Sequence, residues 1–172
     1  MKKLLTAIAV MAFGVVANAA TAVWNVESIY EYGNPTTLAS GYALYFFDSA
    51  VVSVDAASTA VAAGNLSFLS SGIAAEYMEE GEGGVEGGSY GSGVEITSYF
   101  VVFNADDAAA ATFAYISAEE TASTGGAGQS AMLIFDGSAT ATAGNWTAVP
   151  EPTSGLLLLV GGALLALKRR RA

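Results

Sequence analysis

The sequence predicts an all-β domain, an antiparallel β-sandwich-like body with one short helix, flanked by an N-terminal signal peptide and a C-terminal hydrophobic helix. Three observations lead there. Short runs rich in β-branched and aromatic residues, bounded by Gly, Asn, Asp or Ser, recur through residues 20–148. A single stretch, beginning at Asp55, carries helix signals instead. Charge is also sorted by position: the 172-residue chain has 6 Lys+Arg against 16 Asp+Glu, and every cation lies at Lys2, Lys3 or residues 168–171. The chain therefore divides into segments 1–19, 20–148 and 149–172.

The first segment has three parts. Lys2 and Lys3 precede an apolar run over residues 4–16, and Ala17-Asn18-Ala19 follows. A positive start, a short apolar helix and small side chains that fit a peptidase cleft make a secretory signal peptide, with Ala17 and Ala19 as the recognition residues for signal peptidase and cleavage after Ala19. The apolar run extends roughly 20 Å as a helix, short of a comfortable membrane span.

In the body, residues 22–30 alternate, with Trp24, Val26 and Tyr30 on one face and Asn25 and Glu27 on the other, as a half-buried strand does. Strands are expected over 42–47, 51–54, 94–103, 111–116, 131–135 and a Thr/Ala run at 138–148. Asp55 reads as the N-cap of a short helix over 56–63, with Gly64 closing it. About seven strands in a body of this length favour a sandwich. Much of the apolar content is alanine, which buries little area, so the core has to come from Trp24, Tyr42, Tyr45, Phe46, Phe47, Phe68, Tyr99, Phe100, Phe103, Phe113, Tyr115, Phe135 and Trp146. Residues 79–93, rich in Gly and Glu, read as a mobile loop between strands. Glu79, Glu80, Glu82 and Glu86 raise the thought of Ca²⁺, but their spacing fits neither an EF-hand nor a calcium-binding nonapeptide repeat. Asp106-Asp107 reads as turn chemistry.

Composition excludes whole classes of activity. With no His and no Cys there is no imidazole base, thiol nucleophile or zinc site of the N/S kind. The body has no Lys or Arg, hence no P-loop lysine, no Schiff base and no cationic surface for nucleic acid. Pairs of carboxylates are inevitable in so acidic a chain and do not by themselves make a glycosidase. The body is expected to be non-enzymatic, with no cofactor and no metal site. Exposed aromatics could stack on sugars, but alternation sends most of them inward.

At the C-terminus, Pro150-Glu151-Pro152 holds an extended backbone beside an apolar run over residues 155–167, and Lys168, Arg169, Arg170 and Arg171 follow. Those cations stay cytoplasmic by the positive-inside rule, which puts the body on the far side, in agreement with the signal peptide. The run is short for a hydrocarbon layer of about 30 Å, which suggests transient membrane insertion. Over residues 149–172 this order of motif, helix and basic cluster resembles the PEP-CTERM sorting signal of Gram-negative bacteria. The resemblance implies recognition at Pro150, Glu151 and Pro152 by an exosortase, a membrane protease of the transpeptidase type, and loss of the tail. It also implies a cell-surface or extracellular destination linked to polysaccharide and biofilm. A permanently anchored membrane protein and a calcium- or carbohydrate-binding adhesin-like module are the alternatives.

Overall fold

The computed structural model describes residues 20–126 and 129–150. The described body is all-β with one short α-helix and no closed barrel. The first sheet holds β1 (Ala20–Glu27), β6 (Tyr77–Glu79), β7 (Glu82–Tyr90) and β11 (Ala131–Asp136), in the order β11-β1-β7-β6. The second runs β12 (Thr147–Ala148), β9 (Phe113–Ile116), β8 (Glu95–Phe103), β4 (Ala43–Asp48) and β5 (Ile73–Ala74), with β10 (Glu120–Ser123) paired to β8 beside β9. A separate hairpin joins β2 (Tyr30–Glu31) to β3 (Asn34–Leu38).

The alternation seen in the sequence around Trp24 becomes β1, but the strand ends at Glu27, before Ser28 at φ +63°, and the expected Tyr30 falls in β2 instead. Ala20, Ala22, Trp24 and Val26 are buried, while Glu27 faces solvent. Trp24, Val26, Leu133 and Phe135 from the first sheet share one core with Phe46, Phe100 and Val102 from the second. A second core lies under α1 (Val54–Ala62), where Ala57 and Val61 join Phe47, Tyr99, Val101 and Phe103. Of the expected core aromatics, Trp24, Phe46, Phe47, Tyr99, Phe100, Phe103, Tyr115, Phe135 and Trp146 are buried. Tyr42, Tyr45, Phe68 and Phe113 are partly buried against them.

Several expectations change. The sheets are not wholly antiparallel: β1 pairs with β11 in parallel, Trp24 beside Leu133. Side-chain alternation carries no information about strand direction, and the last long strand returns beside the first after the rest of the body has been built. Residues 79–93 are not a loop, because β7 occupies most of them between β1 and β6. Its glycines serve close approach: a Cβ on Gly84 would stand 2.9 Å from the Trp24 carbonyl oxygen, so only hydrogen fits.

Residues 51–54 form a turn and a helix start. Asp48 accepts the Ala50 N–H on its side chain at 2.8 Å and the Val51 N–H on its carbonyl at 2.9 Å. That turn delivers Ser53, not Asp55, to the N-cap, where its Oγ accepts the Ala56 N–H at 3.3 Å. Asp55 falls instead in the first helical turn, where a carboxylate complements the helix dipole.

The run 138–148 forms 3-10 turns at Ser138–Ala141 and Ala143–Asn145 and reaches strand geometry only in β12. Thr140 is the cause. It is fully buried, its hydroxyl donates to the Gly137 carbonyl at 2.6 Å and accepts the Tyr30 N–H at 2.8 Å, and its own carbonyl takes the Trp146 indole N–H at 2.8 Å. Local side-chain bonding to the backbone here outcompetes a ladder.

Gly84→Val is expected to destabilise the body by about 1–3 kcal/mol through the clash with β1, whereas Met132→Thr, on an exposed position of β11, should stay within about 0.5 kcal/mol. Urea midpoints of the two variants check this, and equal midpoints would show that β7 does not lie flush on β1.

Candidate functional site

The last described residues are seated by three elements. β12 pairs with β9, Thr147 beside Ala114 and Ala148 beside Phe113. Val149 then donates its N–H to the Thr112 carbonyl at 2.9 Å and is buried in the cluster that holds Ala57 and Val61 of α1. Pro150 is exposed, but its carbonyl oxygen lies 3.0 Å from where a Cβ on Gly64 would stand. Gly64 follows the helix cap at φ +67°, the left-handed turn that favours glycine and closes the end of α1 over this spot.

Pro150 is the one residue of the expected sorting motif that the structure places. Glu151 and Pro152, the basic cluster Lys168, Arg169, Arg170 and Arg171, the apolar run 155–167, and Ala17 and Ala19 lie outside the described residues. Among the described residues no helix is long and apolar enough to cross a membrane.

The four glutamates at 79–86 do not converge. Glu79 and Glu82 face each other across the β6–β7 turn, Glu80 sits in that turn at φ +48°, and Glu86 lies a further four residues along β7. No group of three or more His, Cys, Asp or Glu residues among the described residues is arranged to hold a metal ion. Asp107 accepts the Ala109 N–H at 2.9 Å and so caps a turn.

Sequence reasoning did not single out a shallow hollow of about 350 Å³ on the outer face of the first sheet. Val23, Met132 and Ile134 give it an apolar side, and Tyr77, Asn25, Glu76 and Glu86 supply polar groups. Tyr77 is half exposed and reaches over Gly84 to donate its hydroxyl to Asn25 Oδ1 at 3.4 Å. The signal in the sequence was β11 itself, where Met132 and Ile134 alternate with Leu133 and Phe135, so that both faces of the strand are apolar.

Three tyrosines hold their protons unusually tightly; burial, and then the charge of Asp136, raise Tyr115, and the other two go furthest. Burial, and then the Asp48 carboxylate, push Tyr90 up to about 12. Burial, and then the charge of Glu119, push Tyr99 up to about 12. The Tyr99 hydroxyl is buried with no hydrogen-bond partner among the described residues. Neither group is poised to ionise near neutrality. Asp136 shifts the other way: the Ser138 N–H and then the Ser138 hydroxyl hold its carboxyl below the usual range.

No protein-family model matches the chain, and no curated protein matches its sequence.

Raised tyrosine values in the folded state mean that the unfolded chain releases those protons first. Their contribution is intact below the ordinary value of 10.0 and is lost as pH rises from there through about 12. Tyr99→Phe is expected to be neutral or stabilising at pH 7, because it removes an unpartnered hydroxyl, and to flatten part of the alkaline loss. Urea midpoints at neutral and alkaline pH test both arms. A marked loss at pH 7 would mean that the hydroxyl has a partner.

Proposed function

We propose that the chain is a non-enzymatic exported protein, the substrate of an exosortase-type sorting system, whose β-sandwich-like body becomes a cell-surface or extracellular polysaccharide and biofilm matrix component. Signal peptidase removes residues 1–19. The run 155–167 then holds the chain transiently in the inner membrane with Lys168 and Arg169–Arg171 on the cytoplasmic side. The sorting protease acts at Pro150, Glu151 and Pro152, and the tail is lost.

The observation that carries this reading is the position of Pro150 on the described body. Val149 is packed in the core beneath α1, and Pro150, the first residue of the motif, is exposed. A body with 15 of the chain's 16 acids and none of its cations also suits a protein kept soluble by self-repulsion outside the cell.

Intact mass of the protein from its host, with and without the sorting protease, tests this. The expected product lacks residues 1–19 and the basic tail only when the protease is present. A mass that still includes Arg171 in both strains means a permanent C-terminal anchor and ends the sorting reading.

A second reading, a carbohydrate-binding module, is favoured by the hollow at Tyr77, where an exposed ring stands beside an amide and two carboxylates. Neutral hydroxyls, unlike anionic ligands, are not repelled by Glu76 and Glu86. Tyr77→Ala is expected to weaken binding to the host's extracellular polysaccharide about tenfold, the share of one stacked ring. Unchanged binding of the variant in an affinity gel removes this reading.

A further inference from the structure

The residues that precede the motif are held from two sides, and the two holds come from different parts of the chain. On the sheet side, β12 is paired to β9 and the Val149 N–H is engaged by the Thr112 carbonyl at 2.9 Å. On the helix side, the Val149 side chain, 8% exposed, packs in one cluster with Val61, and the Pro150 carbonyl lies against Gly64 at the end of α1.

We infer that this seat sets the limit of processing: while the body is folded, the peptide bonds from Thr147 to Pro150 are withheld from proteases, and the cut that frees the body falls C-terminal to Pro150. The inference rests on the reading that the tail is removed, and it adds where. A protease binds its substrate as an extended strand, pairing with backbone groups and seating side chains in pockets. At Val149 both are already taken, the N–H by Thr112 and the side chain by the core beneath α1. Presenting that residue requires the seat to open locally. Residues 151–154 span at most about 14 Å when extended, so the cut falls in a short window between the seat and the apolar run. Val149 and Gly64 act as positioning residues: neither belongs to the motif, and both decide which of its bonds is within reach.

The test uses the full chain in its membrane fraction, treated with a broad-specificity protease and read by mass spectrometry of the surviving fragment. The wild-type body is expected to end at Pro150 or beyond. Val149→Ser, which leaves a polar group where the seat was apolar, is expected to give about tenfold more fragment ending at or before Val149, as the opened seat becomes more populated. Gly64→Val, whose Cβ would press on the Pro150 carbonyl from a strained φ, should act in the same direction. It provides a second variant should Val149→Ser fail to fold, with near-ultraviolet circular dichroism reporting whether each body stays intact. A wild-type body trimmed at or before Val149 while its dichroism is unchanged overturns the inference, as does a host-matured C-terminus at or before Val149. A chain that keeps Arg171 in its host, yet yields a body ending beyond Pro150 in this assay, supports the seat and sinks the sorting reading alone.

Discussion

Phe46, Phe100 and Phe135 meet between the two sheets, and most of the body depends on that contact. Phe135 comes from β11 of the first sheet, Phe46 and Phe100 from neighbouring strands of the second, with ring centroids 6.0 and 5.6 Å from Phe135. Trp24 extends the group from β1, 6.4 Å from Phe46. In a chain with no cysteine and much alanine, neither covalent staples nor a broad aliphatic core is available. A few large rings have to supply the area that offsets the ordering of the backbone. The strands that carry these rings are the ones on which the rest is hung: α1 packs on the far side of β4 and β8, and Val149 packs beneath α1.

The absence of cations shapes everything outside that core. Residues 20–150 hold no Lys, Arg or His, so no side-chain ion pair can form within them. The carboxylates that do take part in the fold therefore accept backbone N–H groups: Asp48 from Ala50, Asp107 from Ala109, Asp136 from Ser138. Each stabilises a turn by satisfying an otherwise unpaired donor at the point where the chain changes direction. Glu27, Glu79 and Glu82 stay in solvent on the first sheet, where Glu86 accepts the Thr21 hydroxyl at 2.6 Å.

What was legible in the sequence was whatever side-chain periodicity encodes. The Trp24 and Val26 alternation, the long apolar run of β8 and the rings of the core could be read directly, because burial on one face leaves a period of two. The helix was legible to within two residues. Which of Ser53 and Asp55 caps it was not, since both are good caps and the choice is made by the turn at Asp48. β7 was hidden because its glycines read as flexibility, when Gly84 is there so that the Trp24 carbonyl can come close, a fact that lives on another strand. Thr140 hid the 3-10 turns in the same way, through partners at Tyr30 and Trp146. Pro150 announced itself in the sequence, whereas the contact of Gly64 with it is tertiary and leaves no local trace.

The parallel pairing of β1 with β11 bears on when this chain can fold at all. β1 is the first strand of the body, yet it lies between β7 and β11, and its partner β11 ends at Asp136. Closing that pair carries the loop entropy of nearly the whole body, and no shorter piece of the chain can complete the first sheet. On the export route proposed above, the Trp24 strand would wait on the far side of the membrane, with its apolar face uncovered, until almost the entire body had been threaded through. Premature folding, which would jam a translocation pore, would then be disfavoured by topology alone, because the first sheet cannot close before β11 has emerged.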